Sequence, residues 1–181
     1  MPEFLVHLSG DKSITHRAFI FASLAQGTSY IHNVGDGADL ASTRRILRQL
    51  GIHIESIGSG SWRVDGRGGV HRFEKPQGSL DCGNSGTTMR LMAGLLSGLS
   101  FSVTLDGDES LKNRPMQRLL RVLEPLNRSL STSNTGCAPI MVGGDPHLND
   151  HLQSQSEYKP QANIDSSPII IETQSSSAQL K

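Results

Sequence analysis

The sequence predicts an α/β fold built from repeated units. Segments with apolar residues every three or four positions, typical of helices, alternate with short segments in which every second residue is apolar, typical of strands. Similar features recur at an offset of 72 residues, which takes Ser13 to Ser85 and Gly35 to Gly107. Nineteen glycines, one tryptophan, two tyrosines and five phenylalanines favour tight turns around an aliphatic core.

Each unit consists of a loop, a helix, a strand, a Gly-Asp turn, a second helix and further strand sequence. Ser13 is expected near the N-cap of the first helix, with Gly27 just past its end. Pro115 suits the first position of a later helix. The predicted elements are helices at 13–26 and 39–50, a strand at 30–34 and a hairpin of 52–57 with 62–65, then a helix at 89–99, a strand at 101–105 and a helix from 115.

Composition divides the chain into two segments. Residues 1–127 are expected to form two repeated α/β units that carry the substrate-binding loops. Residues 128–181 are rich in Ser, Asn and Gln, so we expect a polar, loop-rich segment with short strands at 138–142 and 168–171 and the start of a third unit at Ser177.

Charge and hydropathy exclude several classes of protein. The 17 basic and 17 acidic side chains cancel, which argues against nucleic acid or an anionic membrane as a partner bound through bulk charge. No apolar run approaches the ~18–20 residues needed to span a bilayer, and the start lacks the features of a signal peptide. Cys82, Cys137 and the seven histidines form no metal-ligand pattern. We therefore expect a soluble, cytoplasmic protein without a metal.

The loop at residues 10–17 (GDKSITHR) has the composition of an anion site. Free N–H groups and the positive end of the helix dipole lie at a helix start. Lys12 adds a charge, and Arg17 stands one turn beyond Ser13 on the same face. The alternative is that Ser13 merely caps the helix while Lys12 and Arg17 are solvated.

Two further loops offer similar chemistry. In residues 83–88 (GNSGTT), two glycines allow a ligand to approach the backbone closely, although a plain helix cap is the alternative. In residues 107–115 (GDESLKNRP), Arg114 could grasp a phosphate or carboxylate in a bidentate manner, or it could pair with Asp108 or Glu109 at the surface.

Four other side chains are given structural interpretations. Surface pairing with carboxylates explains Arg90 and Arg118 better than ligand binding does. His16 fits a hydrogen-bonded histidine of the capping loop, and Cys82 fits a small buried apolar residue.

Together, the loop at 10–17, the segment 80–90 (LDCGNSGTTMR) and the segment 107–116 resemble, in order and spacing, the three N-terminal signatures of the enolpyruvylshikimate phosphate synthase family. Residues 177–181 (SAQLK) resemble the family's Ser-Ala-Gln-x-Lys element. The resemblance implies one incomplete lobe of an inside-out α/β barrel, built from β-α-β-α-β-β units.

The resemblance also implies a reaction. The enolpyruvyl group of phosphoenolpyruvate would pass to a hydroxyl of shikimate 3-phosphate through a tetrahedral intermediate, with release of phosphate and with no cofactor. Lys12 would be the catalytic residue and would touch both substrates. Shikimate phosphate would contact Lys12, Ser13, Arg17, Ser177, Ala178 and Gln179, and phosphoenolpyruvate would contact Lys12, Asn84, Gly86, Arg114 and Gln179. The inhibitor glyphosate would compete in the phosphoenolpyruvate half of the site.

The chain departs from this family in length, since the family has two lobes. We therefore expect a truncated chain that gathers anions but does not turn over alone, with a complementary chain as a partner that could carry the missing lobe. Two alternatives stay open: a non-catalytic fragment that binds a sugar phosphate, and a relative of the enolpyruvyl transferases that act on UDP-N-acetylglucosamine.

Overall fold

The computed structural model describes residues 10–123, 130–133 and 135–144. The predicted strand at 168–171 and the predicted element at 177–181 lie outside these residues. The helices are α1 (Lys12–Leu24), α2 (Ala38–Gln49), α3 (Gly86–Leu96), α4 (Glu109–Lys112) and α5 (Gln117–Leu123). The strands are β1 (Gln26–Ile31), β2 (His53–Gly58), β3 (Ser61–Arg67), β4 (Leu80–Asp81), β5 (Ser102–Asp106), β6 (Ser131–Thr132) and β7 (Ile140–Gly143).

The first sheet has the order β1-β3-β2, and both pairings are antiparallel. The predicted hairpin is therefore confirmed as β2 and β3. Gly66 on β3 lies directly beneath the end of α1, where a Cβ atom would come within 2.2 Å of the Ala22 carbonyl oxygen and 2.3 Å of the Ala25 carbonyl oxygen. Only glycine allows the strand and the helix end to approach this closely.

The second sheet repeats this topology and adds one strand. Its order is β4-β5-β7-β6, with β4 and β5 parallel and the other pairs antiparallel. Strands β5, β7 and β6 therefore correspond to β1, β3 and β2, which confirms the repeat by pairing as well as by sequence. Because β7 pairs with β5, the second unit continues beyond residue 127.

One apolar core joins both units. Helices α1 and α2 pack together, α2 packs on α3, and the buried face of each sheet closes the core. Within the described residues, no helix is long and apolar enough to cross a bilayer. The largest fully buried side chains are Phe19, Leu40, Ile46, Leu47, Leu50, Leu80, Met89, Met92, Leu96, Leu99, Leu105 and Leu111.

Some predicted boundaries are wrong, for identifiable reasons. Helix α1 begins at Lys12 and ends at Leu24, because Asp11 is the N-cap and because pairing of β1 with β3 draws Gln26 and Gly27 into a strand. Pro115 is not the first residue of a helix. A four-residue helix, α4, precedes it, and α5 begins only at Gln117.

Candidate anion-binding site

The N-terminus of α1 is capped by Asp11 and not by Ser13. The Asp11 carboxylate accepts a hydrogen bond from the Ile14 backbone N–H at 2.8 Å, which is the usual action of an N-cap. The interpretation that Ser13 serves only as the cap is therefore wrong. Ser13 lies in the first turn of the helix, half-buried, and its carbonyl oxygen accepts a hydrogen bond from Arg17 Nη1 at 2.9 Å.

Lys12 has an ionic partner from the next helix. Its Nζ atom lies 3.4 Å from each carboxylate oxygen of Asp39, in the first turn of α2. Although burial acts to raise the pKa of Asp39, a backbone hydrogen bond and the Lys12 charge outweigh it and hold that pKa below its ordinary value. The Lys12 side chain remains 60% exposed, so solvent and ligands can reach its ammonium group.

In both units, the Gly-Asp turn packs on the loop before the first helix. A Cβ atom on Gly35 would lie 2.7 Å from the Gly10 carbonyl oxygen, and one on Gly107 would lie 2.6 Å from the Gly83 carbonyl oxygen. In the second unit, the Asp108 N–H also donates to that Gly83 oxygen at 3.0 Å. The repeated Gly-Asp sequence therefore supports the two loops in the same way.

The second loop begins α3 and holds Asn84 at its edge. Ser85 is the N-cap, since its hydroxyl accepts a hydrogen bond from the Thr88 N–H at 3.1 Å. The Asn84 amide donates to the Asp108 carboxylate at 2.8 Å, and its carbonyl oxygen accepts from Arg114 Nη2. The amide is thus oriented from both ends.

Arg114 points to the second loop. Its guanidinium donates to Asn84 and, at 3.5 Å, to the Ser110 hydroxyl. Among the described residues, neither Asp108 nor Glu109 forms a salt bridge with it. Asp108 accepts hydrogen bonds from Leu111 N–H and Asn84, which are the main causes of its lowered pKa. The alternative of a direct salt bridge for Arg114 is therefore wrong, although its charge contributes to the lowered pKa of Asp108.

Arg90, interpreted above as a surface arginine paired with a carboxylate, is instead a further candidate for the site. Its Nη1 atom donates to the Gly86 carbonyl oxygen at 3.2 Å, and burial, followed by the charge of Arg114, lowers its pKa. A Cβ atom on Gly86 would lie 2.6 Å from Arg90 Nη1 and 3.5 Å from Arg114 Nη1. Two guanidinium groups therefore lie beside Gly86. Within residues 10–123, Arg90 forms no salt bridge with a carboxylate, so the interpretation of surface pairing is wrong for it. Its spacing, four residues after Gly86, was the available signal.

The structure brings the predicted residues of the second and third loops together and links Lys12 of the first loop to them through hydrogen bonds. Asn84, Gly86 and Arg114 form a single cluster. Lys12 reaches Asp39, whose carbonyl oxygen accepts a hydrogen bond from Thr88 of α3 at 3.1 Å. Ser177, Ala178 and Gln179 lie outside the described residues, so their predicted contacts remain predictions.

Two side chains near the cluster, Cys82 and His16, are buried and not available to a ligand. Cys82 is fully buried, as predicted, and burial raises the pKa of its thiol to about 12, which makes it a poor nucleophile. His16 is hydrogen-bonded, as predicted, but it lies inside α1 and is 1% exposed instead of lying in the capping loop.

Comparison with known proteins gives consistent matches. The 3-phosphoshikimate 1-carboxyvinyltransferase of Xanthomonas campestris pv. campestris (strain B100) is 45% identical over 141 residues, which cover 78% of this chain and 32% of that protein. The enzyme of the same name from Alkalilimnicola ehrlichii is 43% identical over 142 residues, with the same coverage. The chain therefore spans about a third of the length of these curated relatives.

A solved structure matches the fold. The structure of EPSP synthase from Acinetobacter baumannii superposes with a TM-score of 0.72 at 34% identity, covering 76% of this chain and 31% of that one. The family model described as EPSP synthase (3-phosphoshikimate 1-carboxyvinyltransferase) matches residues 4–157. With its repeated sheets, its glycine loops and its cluster of cations, this chain belongs to the EPSP synthase family.

Proposed function

We propose that this chain supplies part of an enolpyruvyl transferase site, in which it binds phosphoenolpyruvate and shikimate 3-phosphate. The observation that carries this proposal is the pair of guanidinium groups of Arg90 and Arg114, which both lie within 3.5 Å of the position that a Cβ atom on Gly86 would occupy, beside the oriented amide of Asn84. Planar guanidinium groups suit phosphate and carboxylate oxygens. Phosphoenolpyruvate carries both kinds of group.

Lys12 and its loop provide the second half of this site. The ammonium group of Lys12 is exposed and can exchange Asp39 for a substrate anion at small cost, since exposed ion pairs contribute only about 0–1 kcal/mol. Ser13 and Arg17 adjoin it in the first turns of α1. We assign shikimate 3-phosphate to this half, together with Ser177, Ala178 and Gln179, and we assign to Lys12 contact with both substrates.

The reaction is transfer of the enolpyruvyl group to a hydroxyl of shikimate 3-phosphate with release of phosphate. The hydroxyl oxygen adds to C2 of the enol phosphate as the hydroxyl loses its proton and C3 gains one, which gives the tetrahedral intermediate. Loss of phosphate from C2 and of a proton from C3 then restores the double bond as an enol ether. Fixed cations and N–H groups lower the energy of the anionic groups without reorganising during the reaction. The proposed reaction belongs to aromatic amino-acid biosynthesis. We propose the cytoplasm as its compartment and glyphosate as a competitor of phosphoenolpyruvate.

The 181-residue chain is expected to bind the substrates but not to catalyse the reaction. Proton transfer and closure over the substrates require the second lobe that the resemblance implies, and the chain spans about a third of its relatives. We therefore expect this chain alone to bind anions without releasing phosphate, and a chain carrying the second lobe to restore release.

Calorimetric titration tests this function. Wild type should bind shikimate 3-phosphate, and then phosphoenolpyruvate in its presence, while Lys12→Ala should weaken both by roughly tenfold or more, as expected for loss of a charged hydrogen bond. Lys75→Ala, which removes an exposed lysine elsewhere, is the matched control. Equal heats for wild type and Lys12→Ala would contradict the assignment. Binding of shikimate 3-phosphate without any response to phosphoenolpyruvate would leave only a sugar-phosphate-binding unit.

A further inference from the structure

A buried chain of hydrogen bonds connects three helices next to the site. His16 Nδ1 of α1 lies 2.8 Å from the Thr43 hydroxyl of α2, and this hydroxyl lies 2.9 Å from the Thr88 hydroxyl of α3. The Thr88 hydroxyl lies 3.1 Å from the Asp39 carbonyl oxygen. His16 is 1% exposed, and Thr43 and Thr88 are fully buried, so water does not substitute for these contacts.

The direction of the chain follows from counting protons. A carbonyl oxygen only accepts, so the single hydroxyl proton of Thr88 must be donated to Asp39. The Thr88 hydroxyl oxygen therefore accepts the hydrogen bond from the Thr43 hydroxyl, which uses the only hydroxyl proton of Thr43. Thr43 must in turn accept from His16, which requires a proton on Nδ1. The chain thus selects one histidine tautomer and one rotamer for each hydroxyl.

The chain connects the parts of the two loops that carry their charges. His16 follows Lys12 by one turn in α1, and Thr88 follows Gly86 within the first turn of α3. Between them, Asp39 offers its carbonyl oxygen to Thr88 and its carboxylate to Lys12. A displacement of α1 relative to α3 must therefore break a buried hydrogen bond, and an unsatisfied buried polar group is costly.

We propose that His16, Thr43 and Thr88 are positioning residues. They fix the distance between the loop at residues 10–17 (the Lys12 loop) and the loop at residues 83–88 (the Gly86 loop), so that both loops can hold their anions at once. This inference rests on the proposed function for the identity of the anions. The three side chains act through the helices that carry the loops. Burial lowers the pKa of His16, which agrees with a neutral imidazole in this chain.

Matched substitutions test the proposal by affinity. Thr43→Val removes the hydroxyl while keeping the shape, whereas Thr43→Ser keeps the hydroxyl. Ser23→Ala is the control for general destabilisation, because the Ser23 hydroxyl is also fully buried on α1, where it donates to the Phe19 carbonyl oxygen at 2.7 Å. The probes are shikimate 3-phosphate and then phosphoenolpyruvate, titrated into the 181-residue chain at a temperature at which circular dichroism shows every variant to be folded.

We expect Thr43→Val to weaken binding of the second anion roughly 2- to 30-fold, the range found for residues that couple two sites. Thr43→Ser should restore the wild-type value, and Ser23→Ala should lower stability without changing affinity. Wild-type affinity in folded Thr43→Val would overturn the proposal. The same loss of affinity in Ser23→Ala would also overturn it, since general destabilisation would then be sufficient.

A spectroscopic measurement is independent of ligand binding. Above the ordinary histidine pKa of 6.5, long-range ¹H–¹⁵N spectra should show His16 protonated on Nδ1 and unprotonated on Nε2. Thr88→Val should shift the amide signals of Lys12 and Ser13 on the other helix, whereas Ser23→Ala should not. If wild type bound neither anion, the proposed function would fail while these spectra still decided the positioning role. A proton on His16 Nε2 in place of Nδ1, or unshifted amide signals in Thr88→Val, would overturn the positioning role.

Discussion

The Lys12 loop and the Gly86 loop have the same backbone arrangement, but their cations are paired differently. Each loop is covered by a Gly-Asp turn, and each leads into a helix whose N-terminus is capped by a side chain. In each helix an arginine reaches back four residues: Arg17 donates to the Ser13 carbonyl oxygen, and Arg90 donates to the Gly86 carbonyl oxygen. The two loops of the repeat therefore share the same backbone geometry.

The difference lies in what neutralises the cations. Lys12 faces the Asp39 carboxylate, and α1 is capped by the negatively charged Asp11. Around Gly86, Arg114 donates to the neutral amide of Asn84, and α3 is capped by the neutral Ser85. The nearby Asp108 carboxylate accepts from that amide and forms no salt bridge with Arg90 or Arg114. The first loop must give up a salt bridge to bind an anion, whereas among the described residues the two guanidinium groups of the second loop have no salt bridge to give up. We therefore expect the second loop to hold its anion more strongly.

Removing Arg114 should produce the largest effect. Arg114→Ala should weaken phosphoenolpyruvate binding about 10- to 100-fold, because hydrogen bonds to charged groups contribute about 1.5–3 kcal/mol. Arg114→Lys should recover only part of this, since an ammonium group lacks the planar fork. Titration calorimetry measures the loss, and the exposed Arg121 of α5 supplies the control Arg121→Ala. An equal loss in the control would mean that only net charge matters.

Gly86→Ala should have the next largest effect. The new methyl group would lie 2.6 Å from Arg90 Nη1, so the guanidinium must move and the anion must move with it. Since the guanidinium is the end of a flexible side chain, stability should change little, but its hydrogen bonds to the anion are displaced. We expect binding of phosphoenolpyruvate and glyphosate to fall by about tenfold, because a hydrogen bond to a charged group contributes about 1.5–3 kcal/mol.

The control for Gly86→Ala lies on the same helix. Gly94 has no neighbouring atom within 4 Å of an added Cβ, so Gly94→Ala should stabilise the protein by about 0.5–1 kcal/mol in thermal unfolding and leave affinity unchanged. Unchanged glyphosate binding in Gly86→Ala would count against this loop as the phosphoenolpyruvate site.

Asp39→Asn should change affinity in the opposite direction. Without the carboxylate, Lys12 keeps its whole charge for the ligand, and shikimate 3-phosphate should bind about 2- to 5-fold more tightly, because an exposed ion pair contributes about 0–1 kcal/mol. The gain should shrink as salt is added. Asp65→Asn removes the same charge on β3, away from the site, and should change affinity less. Weaker binding in Asp39→Asn would show that the carboxylate supports the site.

The smallest expected effect is on the pH dependence of stability. Burial lowers the pKa of His16, the neighbouring Asp39 raises it, and the charges of Lys12, Arg17 and Arg44 lower it further. The unfolded chain therefore binds this proton more readily than the folded one does. Stability should be fully present above pH 6.5, the ordinary histidine value, and should decrease as the pH falls below it.

Urea unfolding at several pH values measures this dependence. His16→Asn should flatten the part of the curve just below pH 6.5, while the decline at lower pH, which comes from carboxylates, should persist. An unchanged curve in that variant would assign the dependence to another histidine.

Much of the fold could be predicted because each element of the repeated unit is specified by neighbouring residues. The glycine loops, the apolar helices and the hairpin each have their own signal within a few residues. The start of α1 could not be located to the residue, because Asp11, Lys12 and Ser13 are all plausible at a helix N-terminus and only the hydrogen bond from the Ile14 N–H distinguishes them.

The site was only partly predictable, for a different reason. Lys12, Asn84, Gly86 and Arg114 could be proposed from motifs, but Arg90 resembles any surface arginine of a helix until α3 is placed beside Arg114. The Lys12 pair with Asp39 spans 27 residues. No short pattern in the sequence indicates such a pair.

The sequence alone determined most of the residues proposed to bind anions, Arg90 excepted, and that they recur in two similar loops, because helix starts, glycines and cations act over a few neighbouring residues. Tertiary structure alone decided which cations are neutralised and which face each other, and that His16, Thr43 and Thr88 form one buried chain. Electrostatic and hydrogen-bonding energies depend on distances in space, and the packing of α1, α2 and α3 sets those distances.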